Sequence, residues 1–110
     1  MKKLFALMLL AAITVSCSDI EKDVPGCIKS EIRKFRSDLA CDEGATVEEY
    51  LFQGKTVYVF NSGSCLCDGA SAVWSEDCEM IGSLGGFSGN TIINGESFSN
   101  AVYQRTVWKQ

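Results

Sequence analysis

The sequence predicts an α+β domain in which one N-terminal amphipathic helix packs on a small antiparallel β-sheet, with disulfides stapling the two together. Three observations predict it. Ile28, Ile32, Phe35 and Leu39 recur at helical spacing, β-branched and aromatic residues alternate in short runs from Thr46 onward, and the 110-residue chain holds six cysteines. A helix followed only by strands has one place to bury its apolar stripe, the face of the sheet those strands build.

Steps of four, three and four residues put the four apolar side chains on one helix face, and Lys29, Arg33, Lys34 and Arg36 fall on the others. Pro25-Gly26 marks the entry to this helix and Ser37-Asp38 its exit. Strands at 46–53 and 56–61 flank a tight turn at Gly54-Lys55. In the second of these, Tyr58 and Phe60 lie on one face and Val57 and Val59 on the other, the pattern of a central strand with both faces covered. Residues 72–75 and 80–84 form a second pair joined through Glu76-Asp77-Cys78-Glu79. Residues 91–93 read as a short strand and 102–108 as the last one. Simple alternation there sets Tyr103, Arg105 and Val107 opposite Val102, Gln104, Thr106 and Trp108.

The N-terminus reads as a targeting segment. Met1-Lys2-Lys3 is a positive start, and residues 4–15 are apolar or small, too short a run to span ~30 Å of hydrocarbon but suited to a signal peptide. The run ends in Thr14-Val15-Ser16-Cys17, which resembles a bacterial lipobox with threonine where leucine is usual. Residues 1–16 are therefore expected to be removed and Cys17 to carry diacylglyceryl and acyl (palmitate) chains, enough for stable anchoring. Residues 17–26 read as a flexible acidic tether with no core position upstream of Pro25, and 27–110 as the single domain. Cys17-Ser18-Asp19 and the acids after it also resemble a surface-export signal of Bacteroidota lipoproteins.

Composition narrows the chemistry. Without 1–16 the chain keeps 8 basic against 14 acidic residues, a formal charge of −6 with no basic run, which argues against nucleic-acid binding. With no histidine, Ser-His-Asp and Cys-His catalysis and His-ligated metals are excluded. Residues 82–95 hold five of the ten glycines, but no lysine lies between Lys55 and Lys109 to serve a phosphate loop, so these are expected at turns and bulges. The acids at Asp68 and 76–79 match no calcium loop and read as a solvated strand connection. No cofactor or metal is expected. Cys27, Cys41, Cys65, Cys67 and Cys78 remain after Cys17, and in an extracytoplasmic domain structural disulfides are the first reading. Five thiols cannot all pair within one chain. Cys65-Leu66-Cys67 lacks the spacing of thioredoxin-like motifs, and the only proline, Pro25, lies in the tether.

A resemblance covers nearly the whole mature domain. It is carried by Cys27-Ile28, Gly44-Ala45, the run from Tyr50 through Gln53-Gly54-Lys55-Thr56 to Phe60, and Cys65-x-x-Asp68. Leu84-Gly85-Gly86-x-x-Gly89-Asn90, Ile93-Asn94-Gly95 and Thr106-Val107-Trp108 complete it. Together these are similar to a family of small Bacteroidota lipoproteins built around one domain of unknown function. The resemblance implies a helix-plus-sheet fold and a lipid anchor, and it brings no catalytic residue. It keeps Cys65-x-x-Asp68 and departs at Cys67. It thereby favours a Cys65–Cys78 bridge; Cys27 and Cys41 are then left to pair, residues 37–41 being long enough for the ~15 Å return from the helix exit to its entry, with Cys67 as the candidate free thiol. The expected function is a non-catalytic binding module on the bacterial outer membrane, at the cell surface or alternatively on the periplasmic face, with a protein or glycan partner. The alternative is a small thiol-dependent redox protein or enzyme using Cys67.

Overall fold

In the computed structural model, residues 20–65 and 69–110 are described. Helix α1 spans Gly26–Asp38, and strands β1 Thr46–Phe52, β2 Lys55–Asn61, β3 Ala70–Ser75 and β4 Met80–Gly85 follow it. A short hairpin of β5 Ile92–Ile93 and β6 Glu96–Ser97 leads through a 3₁₀ turn at Phe98–Asn100 into β7 Val102–Lys109. The main sheet is antiparallel in the order β4-β3-β2-β1-β7, and β5-β6 form a separate pair. The α+β expectation holds, and β2 is the central strand.

Burial explains why β2 sits there. Tyr58 and Phe60 join Ile28, Ile32, Phe35, Val47 and Trp108 in the core under α1, while Val57 and Val59 join Phe52, Val73 and Ile93 on the opposite face. Phe35 meets Phe60 edge-on at 5.2 Å and Trp108 at 6.1 Å between ring centroids. The hairpin β5-β6 and Phe98 close the second face, where Phe98 contacts both Tyr50 and Phe52. Gly82 makes room for this cover: a Cβ there would lie 2.6 Å from Ile93 Cδ1. Leu39, read as the fourth helical contact, is instead the C-cap residue and 61% exposed.

The β1–β2 turn is Gln53-Gly54, one residue earlier than the sequence suggests, and both residues have positive φ as a two-residue type I′ hairpin requires. In β7 two irregularities against β1 interrupt the alternation, leaving Gln104 and Val107 without a direct partner. Register therefore places Val102, Arg105 and Trp108 on the helix side and Tyr103 and Thr106 on the other. Val107 and Trp108 are both buried, at 1% and 2% exposure.

The expected tether is corrected from Ile20 onward. Val24 is a core residue at 4% exposure and Ile20 packs against the same cluster. The Glu21 amide donates to the Val107 carbonyl at 3.0 Å, and Asp23 pairs with Arg105 at 3.0 Å. Residues 20–25 thus run back along β7 as an arm of the fold, and core positions do lie upstream of Pro25. Cys17 lies outside the described residues.

The disulfide pairing is also corrected. The bridges are Cys27–Cys78 and Cys41–Cys65, with Cα–Cα distances of 6.1 and 5.7 Å. Call the end of the sheet with the Gln53-Gly54 turn its upper end. Cys78 lies in the β3–β4 turn at that end, whereas Cys65 precedes β3 at the lower end. A six-residue strand separates them by about 20 Å, beyond the ~7 Å limit for a bridge. Helix α1 likewise holds Cys27 at its upper end, while the Cys41 amide donates to the Ser62 carbonyl at the lower end. Thirteen helical residues again amount to about 20 Å. Each bridge instead joins neighbours at one end, so α1 is fastened to the sheet at both. Cys67 lies outside the described residues.

Two outcomes test this packing. Phe35→Ala should lose about 3–5 kcal/mol of unfolding free energy in urea, out of the ~5–15 kcal/mol usual for a domain; a loss under about 1 kcal/mol would place that face in solvent. Non-reducing peptide mapping should recover the 27–78 and 41–65 pairs. Replacing Cys27 and Cys78 together by serine should cost roughly 4 kcal/mol, the chain-entropy value for a closed loop of 51 residues.

Candidate functional site

Helix α1 lies over β2, β1 and β7, leaving β3 only partly covered, through Trp74, and β4 less so on that face. The uncovered step is a groove of about 360 Å³. Phe60 and Trp74 form its floor at 6.1 Å between centroids, with Phe35 as the helix wall. Met80, the register partner of Trp74, and Ala72 complete the sheet side. Leu39 and Met80 stand at its lips, 61% and 53% exposed, and Glu31, Lys34 and Asp38 edge the helix side. Lys34 is tied to Glu31 at 3.7 Å, one helical turn away.

A second concavity, about 380 Å³ and more polar, lies at the upper end between Lys55, Glu76, Asp77 and Glu79. Its acids sit on the β3–β4 turn, which Ser75 organises by accepting from the Asp77 and Glu79 amides. Among the described residues no three His, Cys, Asp or Glu side chains converge as metal ligands. Asp68 lies outside the described residues. Nearby, the two hairpin turns grip each other: Gln53 Nε2 donates to Glu96 at 3.0 Å and to the Asn94 carbonyl at 3.4 Å. Hydrogen bonds from Gln53 and Asn100 hold the Glu96 carboxyl below its usual range.

Other charged groups are engaged in holding the fold. Arg105 donates to Glu49 at 2.9 Å and to Asp23 at 3.0 Å, which raises its already high pKa and clamps the N-terminal arm to β1 and β7. Burial, reinforced by Glu49 and Glu76, pushes the Tyr58 hydroxyl up to about 12. Cys27, Cys41, Cys65 and Cys78 occupy the two disulfides, and neither borders the groove floor.

The domain-of-unknown-function profile DUF6970 matches residues 33–110. The chain belongs to the DUF6970 family. The DUF6970 match begins inside α1, so Val24, Cys27, Ile28 and Ile32 lie before it yet complete the same core and one of its disulfides. No curated protein and no solved structure matches the chain.

The groove went unread in the sequence, although a signal for it was present. Trp74 and Met80 fall on the helix side of a strand pair that a single short helix does not fully cover.

The titration of Tyr58 gives a direct test. Because the folded pKa is raised, the neutral phenol favours the folded state. Its contribution is intact below the unfolded value near 10 and is lost as pH rises from there toward 12. Burial and Glu48 also push the Tyr50 hydroxyl up, so ultraviolet titration should show late ionisation with a step near 12 from Tyr58, and Tyr58→Phe should abolish that step.

Proposed function

We propose that this DUF6970 protein is a membrane-tethered bacterial lipoprotein acting as a non-catalytic interaction module, with the groove beside α1 receiving an apolar side chain of a protein partner. The groove carries the reading. Phe35, Phe60, Trp74 and Met80 give it an aromatic and thioether lining that dispersion and burial favour, and Met80 adapts its shape to the occupant. A glycan would need hydrogen-bonding groups along the floor, and these side chains offer none beyond the Trp74 indole. The charged lips at Glu31, Lys34 and Asp38 form the polar rim that surrounds a typical binding centre.

The anchor rests on the sequence: a positive start, a 12-residue apolar run and a small residue before Cys17. Outer-membrane attachment at the cell surface follows from the acids after Cys17. Among the described residues no helix is long and apolar enough to cross a membrane.

Cross-linking in intact cells, comparing wild type with Met80→Glu, tests the groove. The expected result is a protein recovered with wild type and lost with the variant at unchanged thermal stability; identical recovery from both overturns the reading. Mass spectrometry of the mature N-terminus should find acylated Cys17, and a soluble form with an unmodified Cys17 would sink the anchor.

A further inference from the structure

We infer that the lower end of the domain, led by Phe87, lies against the lipid bilayer, leaving the groove to open sideways and the upper end to face away. The inference deepens the anchor proposed above and rests on acylation of Cys17.

The arm supplies the geometry. Glu21 is bonded to Val107 near the lower end of β7, Asp23 to Arg105 further up, and Val24 is buried, so the fold holds the chain from residue 20 onward. From Ile20 back to Cys17 are three residue steps, at most about 11 Å. Acyl chains on Cys17 lie in hydrocarbon, which keeps Ile20 within that distance of the headgroup layer. A longer free tether would let the domain tumble; this one keeps the β7 corner of the lower end near the membrane, and Phe87, beyond β4 at the opposite edge of the same end, is the second point of contact.

What the lower end presents fits a lipid surface. Phe87 is 91% exposed at the tip of a turn closed by paired backbone hydrogen bonds between Gly85 and Asn90, with Gly86 and Gly89 at positive φ. An aromatic side chain held out at the tip of a hydrogen-bonded turn suits the interfacial zone of a bilayer. Leu39, 61% exposed at the lower end of α1, stands at the same level.

The upper end has an apolar patch as well, at Leu51, Val102 and Tyr103. The arm decides between the two, because it delivers the anchor to the other end. Charge does not oppose it. Among the described residues both ends carry four acids, Glu76, Asp77, Glu79 and Glu96 with Lys29 and Lys55 at the upper end and Glu21, Asp38, Asp42 and Glu43 with Lys22, Arg36 and Lys109 at the lower, so anionic headgroups repel the lower end no more than the upper.

The test uses the full lipoprotein in phosphatidylethanolamine/phosphatidylglycerol vesicles with brominated acyl chains, which quench nearby indoles. Phe87→Trp should lose emission relative to the wild-type background from Trp74 and Trp108. Tyr103→Trp and Leu51→Trp, two probes of the upper end, should not. Quenching of an upper-end probe equal to or above that of Phe87→Trp, or of none of the three, overturns the orientation while leaving an acylated Cys17 standing. Mass spectrometry of the same sample reads the anchor separately, and a Cys17 without acyl groups overturns both.

Discussion

One helix has to cover one face of a five-stranded sheet, and it is too narrow. Five strands place the outer pair about 19 Å apart, whereas a helix with its side chains is about 10 Å across. Almost everything particular to this fold follows from how that mismatch is divided. Helix α1 sits over the half of the sheet that contains β2, where Phe35 meets Phe60 and Trp108. Residues 20–25 extend the cover toward β7, and the other half is left as the groove. With so small a contact to hold it, the helix is bridged to the sheet at both ends, through Cys27–Cys78 and Cys41–Cys65.

Local pattern revealed most of this architecture. The Ile28, Ile32, Phe35 stripe and the double-sided alternation of residues 57–60 report burial directly, and burial is what the structure shows for both. The features that escaped depend on partners distant in the chain. Leu39 has the right spacing, but the helix ends before it can reach the sheet. The irregularities in β7 are invisible to an alternation rule, because β1 alone determines which residues are left over. Asp23 looked like a solvated tether acid until Arg105, far along the sequence, supplied its partner.

The disulfides teach the same lesson more sharply. Cys65 and Cys78 are close in sequence, yet a strand lies between them, and a strand carries its two ends apart. Cys27 and Cys41 flank a helix with the same effect. Proximity along the chain predicts bridging only where no regular element intervenes, and here β3 and α1 intervene. The groove was hidden for a related reason: Trp74 and Met80 read as ordinary strand residues, and only the width of the sheet relative to the helix shows that the helix covers Trp74 in part and leaves Met80 exposed.

Nested connectivity also imposes an order of assembly on any chain that meets an oxidant N-terminus first. Cys27 and Cys41 emerge together, well before either correct partner, and a hasty oxidant would join them to each other. That mispair cannot coexist with a continuous α1, since the helix separates its two thiols by its own length. Early helix formation therefore protects against premature oxidation, and a chain that has already mispaired must exchange its bridge before it can become helical. The inner loop can close as soon as Cys65, just past β2, has been delivered, but the outer one must wait for the β3–β4 turn. Maturation is thus gated by the arrival of Cys78, more than two-thirds of the way along the polypeptide.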